Sequence, residues 1–130
     1  MGQQQLLLIV LGAVIVGIAV VVGINMFGSS AEQANIDAVR ADVLTFASSA
    51  QAYYKKPTML GGGGNDFTNI TFNDVNFPAD TVLTNVTAQN ANGDYEIANR
   101  QTGQLSFIGY PESVDDTLTA TITDGDIQWQ

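Results

Sequence analysis

LLLIVLGAVIVGIAVVVGINMF, Leu6 to Phe27, is a run of 22 residues in which Asn25 is the one polar side chain. As a helix rising about 1.5 Å per residue it extends about 33 Å, close to the thickness of a bilayer's hydrocarbon layer. No charged residue occurs from Met1 to Ala31, so all thirteen carboxylates and all four basic side chains fall in the rest of the chain. A cleaved secretory signal normally opens with basic residues and has a shorter apolar stretch, whereas this chain opens Met1-Gly2-Gln3-Gln4-Gln5. A simple membrane anchor usually carries flanking Lys or Arg that set its orientation, and the run lacks that flank.

The helical pattern resumes beyond Gly28-Ser29-Ser30. Ile36, Val39, Val43, Phe46, Ala47, Ala50 and Tyr54 recur at spacings of three and four, with Glu32, Asp37, Arg40, Asp42, Ser49 and Gln51 mostly on other faces. This amphipathic stripe predicts that residues 31–57 continue the helix of residues 1–30, with a bend or weak point near Gly28. Any segment that unwinds is expected between Gly17 and Gly28. Lys55 and Lys56 suit the negative end of the helix, and Pro57 stops it. Residues 58–66, with Gly61-Gly62-Gly63-Gly64, read as a flexible connector. They lack the leading strand and the Lys-Ser/Thr of a phosphate-binding loop.

From residue 67 to 130 the pattern shifts to short segments rich in Thr, Val, Ile and aromatics, separated by turn dipeptides. Phe67 to Phe72 is a candidate edge strand. Val82 to Ala88 is expected to pair with Tyr95 to Asn99 across Asn92-Gly93, and Leu105 to Tyr110, Thr117 to Thr123 and Ile127 to Gln130 follow. The fold class is α+β: a long N-terminal hydrophobic-then-amphipathic helix packed on a four- or five-stranded antiparallel sheet. Tyr95, Ile97, Leu105, Phe107, Leu118, Ala120, Ile122, Ile127 and Trp129 are expected to face the Val39 to Tyr54 stripe.

A net charge of −9 repels phosphate backbones and anionic head groups, so nucleic acid is not an expected partner. With no Cys there are no disulfides or thiolate metal sites. With no His, no Cys and no serine beside a base, the chain offers little to catalysis, so neither an enzyme nor a cofactor is expected. Asp115, Asp116, Asp124 and Asp126 are weak candidates for Ca²⁺, because their spacing matches no calcium-binding loop and solvated turn carboxylates account for them. Asn69-Ile70-Thr71 and Asn85-Val86-Thr87 are N-glycosylation sequons, making Asn69 and Asn85 possible glycan sites.

An apolar N-terminal helix, continued as an amphipathic helix on a small antiparallel sheet, resembles the type IV pilin and pseudopilin family. Gly2 followed by Gln3-Gln4-Gln5-Leu6-Leu7-Leu8 looks like the glycine after which prepilin peptidase cuts, next to a polar stretch and the hydrophobic segment. Ala52-Tyr53-Tyr54-Lys55-Lys56-Pro57 is also similar to pilin-like helix ends. The resemblance implies processing at Gly2 and Gln3, with either a two-residue leader or a mature start at Met1. It implies a membrane-inserted precursor, a pilus assembly machinery as partner, and a homopolymer at the cell surface. The helix used for assembly would include Gln5, Leu6, Leu8, Leu11, Val14, Ile18, Val21, Ile24 and Phe27. Family members usually carry a glutamate early in the mature chain, thought to pair with a neighbour's amino terminus, and only glutamines stand here. Docking then depends more on apolar packing. The alternatives are a minor pseudopilin of a secretion or DNA-uptake machine, and a membrane-anchored extracellular binding domain.

Overall fold

The computed structural model describes residues 2–130; Met1, one of the two expected mature starts, lies outside the described residues. Helix α1 runs Gly2–Lys55 and is followed by a short 3₁₀ turn, Thr58–Leu60. Six strands complete the chain: β1 Thr81–Thr84, β2 Thr87–Asn90, β3 Gly93–Ala98, β4 Gln104–Pro111, β5 Leu118–Thr123 and β6 Ile127–Trp129. Gly28, Ser29 and Ser30 are helical, as is the whole interval from Gly17 to Gly28. Two compact units divide at Ala34/Asn35, slightly beyond the expected break after residue 30. The shift has a packing cause, since residues 31–34 are exposed whereas Asn35 and Ile36 are partly covered.

In the second unit, Asn35–Gln130, the helix lies on an antiparallel meander in which every strand pairs with its sequence neighbour, β1 to β6 in order. The sheet thus has six strands rather than four or five, because the segment expected as Val82 to Ala88 turns at Asn85-Val86 and makes two strands. Thr84 drives that turn: its Oγ1 accepts from the Val86 and Thr87 amides, a local bond that competes with straight pairing. Asn92-Gly93 does mark the next hairpin, with Ala88 opposite Tyr95 and Asn90 opposite Gly93. A Cβ on Gly93 would collide with the Tyr110 carbonyl oxygen of β4, so close approach of two backbones demands glycine there.

Alternation along the strands selects the inner face. Tyr95, Ile97, Leu105, Phe107, Ala120 and Ile122 are buried against Val39, Val43, Phe46, Ala47 and Ala50 of α1. Phe46 and Phe107 stack with centroids 3.8 Å apart, and Phe72, Phe77 and Tyr95 surround them. Gly109 lets the sheet approach the helix, because an added Cβ would sit 2.7 Å from Val39 Cγ1.

Three expectations are corrected. Phe67 to Phe72 is not a strand: Asp66 Oδ1 takes the Thr68 amide and Asp74 Oδ2 takes the Thr71 amide, bending the segment into turns. Phe67, Ile70 and Phe72 nevertheless reach the core. Trp129 is 42% exposed, since it closes the three-residue edge strand β6, which has a neighbouring strand on one side only. At the end of α1 it is Tyr53 that is buried, while Tyr54 is half-buried and stacks on Phe67 at 4.7 Å.

The glycine run is tied down. Gly62, Gly63, Gly64 and Asn65 donate their amides to the carbonyls of Pro57, Tyr53, Lys56 and Tyr54. Three of those carbonyls belong to the last turn of the helix or to the residue after it, so the run caps the terminus that Lys55 and Pro57 announce.

Candidate assembly surface

The first unit is helix alone. Its apolar side chains from Leu6 to Phe27 have nothing over them: Gln5 and Leu6, Leu8, Leu11, Val14, Ile18, Val21, Ile24 and Phe27 are all exposed, Phe27 by 80%. An 18-residue window of the helix has the length and apolarity of a membrane crossing, and none of it is buried. Side chains added at Gly12, Gly17, Gly23 or Gly28 would meet nothing within 4 Å. Each glycine weakens the helix by about 1 kcal/mol relative to Ala, and no contact among the described residues compensates for that. Gly2 and Gln3 open the helix and are exposed.

The isolated chain exposes 8136 Å², whereas a folded monomer of its 13.8 kDa exposes about 6,600 Å². The difference, about 1,500 Å², is about twice the 800 Å² or so that each partner contributes to a stable protein–protein contact.

The second unit carries the polar chemistry. Asp42, on the solvent-facing side of the sequence pattern, is half-buried and its Oδ2 accepts from Tyr95 Oη at 2.5 Å, Asn92 Nδ2 at 2.8 Å and Asn90 Nδ2 at 3.0 Å. This clasp ties α1 to the β2–β3 turn. About two turns earlier, Asn35 donates to the Asn92 carbonyl and accepts from the Ser113 hydroxyl. Burial first, and then the hydrogen bond to Asp42 and its charge, push the Tyr95 phenol far above its usual range. Burial, assisted by the charges of Asp74 and Asp66, raises Tyr53. Burial and then Glu96, charge and hydrogen bond together, raise Tyr110. Hydrogen bonds from the Thr68 hydroxyl and amide lower Asp66.

Asp115 and Asp116 lie in the β4–β5 loop, and Asp124 and Asp126 in the β5–β6 turn. Strand β5, six residues and about 20 Å long, separates the pairs. Among the described residues no three acidic side chains gather into a metal-holding group. Asp126 Oδ1 instead accepts from the Ile127 amide and Asp116 Oδ1 from the Thr117 amide, both ordinary turn bonds.

Asn69 and Asn85 are both exposed on turns. The Phe72 amide donates to the Asn85 carbonyl at 2.9 Å, which sets the two sequon segments side by side.

A hollow of about 380 Å³ in the second unit lies between Arg40, Leu44, Leu118, Trp129 and Gln130. It is a shallow groove without converging acid, base or nucleophile. No protein family, curated protein or solved structure matches this chain.

Proposed function

We propose that the chain is a structural subunit, of the type IV pilin kind, of an extracellular filament, and that it polymerises through the helix from Gln5 to Phe27. The single observation that carries this reading is the uncovered apolar helix with its excess area of about 1,500 Å². Water does not tolerate that surface. Lipid covers it first. Copies of the same helix cover it afterwards, so assembly exchanges one apolar environment for another and releases little net hydrophobic free energy.

Extraction from the bilayer therefore needs work from an assembly machine. Once in water the polymer is held by apolar burial, at about 1.5–3 kcal/mol for each large side chain covered. The carboxylate side chains all lie outside residues 1–31, on the second unit or just before it. The charge-free helix suits a bundle because it brings no like charges together at the core.

Shearing cells and sequencing the released material by mass spectrometry tests the proposal. The filament reading expects the chain in the sheared, pelletable polymer. Recovery in membranes alone sinks it and leaves an anchored domain.

A further inference from the structure

From Gly2 to Ala31 the amide and hydroxyl side chains are confined to two groups, Gln3, Gln4 and Gln5 at one end and Asn25, Ser29 and Ser30 at the other. The nineteen residues between Gln5 and Asn25 are entirely apolar. On a helix with 3.6 residues per turn and a rise of about 1.5 Å, Asn25 lies about 30 Å along the axis from Gln5 and is turned about 200° from it. The two amides therefore project from nearly opposite faces. Both are exposed, and the Asn25 amide has no hydrogen-bond partner among the described residues.

In a bilayer both groups sit at the head-group level and are wetted. In a dry bundle a buried amide without a partner is destabilising by about 1–3 kcal/mol, so the packing must find one. In-register copies can pair Asn25 with Asn25 only through a two-fold contact, which closes as a dimer. Copies that meet through opposite faces, as an open polymer requires, fail to pair it without displacement. The face opposite Asn25 at the same height presents Gly23 and Phe27, both apolar. A copy displaced by about 30 Å along the axis brings its Gln5 to Asn25, and each amide offers a carbonyl acceptor and an N–H₂ donor to the other. Intermediate displacements set amides against the apolar run.

We infer that adjacent helices of the polymer are staggered by about 30 Å, with Gln5 of one copy hydrogen-bonded to Asn25 of the next. The occupant of this face is thus a second copy of the chain, and the excess area is enough for such a contact. Because the two contact faces differ, the contact is heterologous and repeats without closing, the geometry that generates a filament rather than a dimer. The inference rests on the filament reading and adds the register to it.

The chain has no cysteine, so a Gln5→Cys/Asn25→Cys double variant carries two reporter thiols and no others. Mild oxidation of its sheared filaments is expected to give a covalent ladder through at least about four copies, since a disulfide needs Cα atoms within about 7 Å. Each single variant is expected to remain monomeric on a non-reducing gel. A double variant that polymerises without a ladder, or Asn25→Cys dimerising alone, overturns the stagger and leaves the filament. Should the double variant not polymerise, helical reconstruction of wild-type filaments decides: a contacting helix displaced near 30 Å supports the register, and its absence overturns it. A wild-type chain that yields no polymer removes both readings.

Discussion

Tyr95 of β3 donates a 2.5 Å hydrogen bond to Asp42 of α1, across 53 residues of sequence. Its ring is buried and stacks parallel to Phe107, so the hydroxyl is aimed by the core rather than by its own strand alone. Asn90 and Asn92 complete the clasp from the adjoining turn. Asp42→Ala removes one acceptor and leaves three donors to find others, with an expected loss of about 3 kcal/mol. Tyr95→Phe leaves Asp42 its two amides and is expected to lose about 1.5 kcal/mol. Denaturant unfolding of the detergent-solubilised chain measures both. Equal losses, or a larger loss for Tyr95→Phe, would show that the carboxylate is not the hub.

The same phenol sets a response to alkali. Tyr95, Tyr53 and Tyr110 all have pKa values raised above the ordinary 10.0. Above pH 10 the unfolded chain therefore loses phenolic protons that the folded chain keeps, and stability falls as pH rises. Their contribution is complete below pH 10 and declines above it. Phenolate absorbance followed with pH is expected to show a late rise coincident with unfolding, and Tyr95→Phe should flatten the decline. A smooth titration of every tyrosine at its ordinary value, with the fold intact, would contradict the buried position of Tyr95.

The clasp also marks where sequence reasoning stops. The apolar run and the Val39 to Ala50 stripe are legible because a period near 3.6 is held over many residues, and Tyr95, Ile97, Leu105 and Phe107 because strands alternate. Asp42 reads as a solvent-facing helix residue, and nothing near it in sequence names Tyr95 or Asn92. Trp129 obeys the alternation yet stays exposed, because alternation gives a side and does not tell an edge strand from a central one. Phe67 to Phe72 has strand composition, but the carboxylates of Asp66 and Asp74 claim amides that a strand would offer to a neighbour. The glycine run suggests freedom, whereas its amides meet the carbonyls at the helix end.

Two glycines in comparable strand-and-turn sequence are expected to differ sharply. An added Cβ at Gly93 meets the Tyr110 backbone, while one at Gly103 meets nothing within 4 Å. Gly93→Ala should destabilise the second unit by about 2–3 kcal/mol or more, as backbone on an adjacent strand cannot move aside locally. Gly103→Ala should stay within about 0.5 kcal/mol of the parent. Thermal unfolding of the two variants side by side measures the contrast, and equal midpoints would mean that β3 and β4 are not held at this separation.

Separating the two units tests the assembly surface most directly. Residues Asn35–Gln130 form a compact unit with its own core from Val39 to Ile122, so the region expressed from Ala31 is expected to fold alone and remain monomeric in water. Its circular dichroism and tyrosine environment should match those of the second unit in the full chain. Val16→Asp or Ile18→Asp, by contrast, places a carboxylate in the middle of the exposed apolar helix, where insertion is disfavoured by about 2.5–3.5 kcal/mol. In a bundle the charge recurs in every copy, and neither lipid tails nor neighbouring helices offer a counter-ion. Either variant is expected to abolish sheared polymer while the region from Ala31, which contains neither position, keeps its stability. Filaments of normal number and length from Val16→Asp would mean that this stretch of helix is not buried in the polymer. An unfolded Ala31 fragment would instead mean that the second unit depends on the helix for its stability.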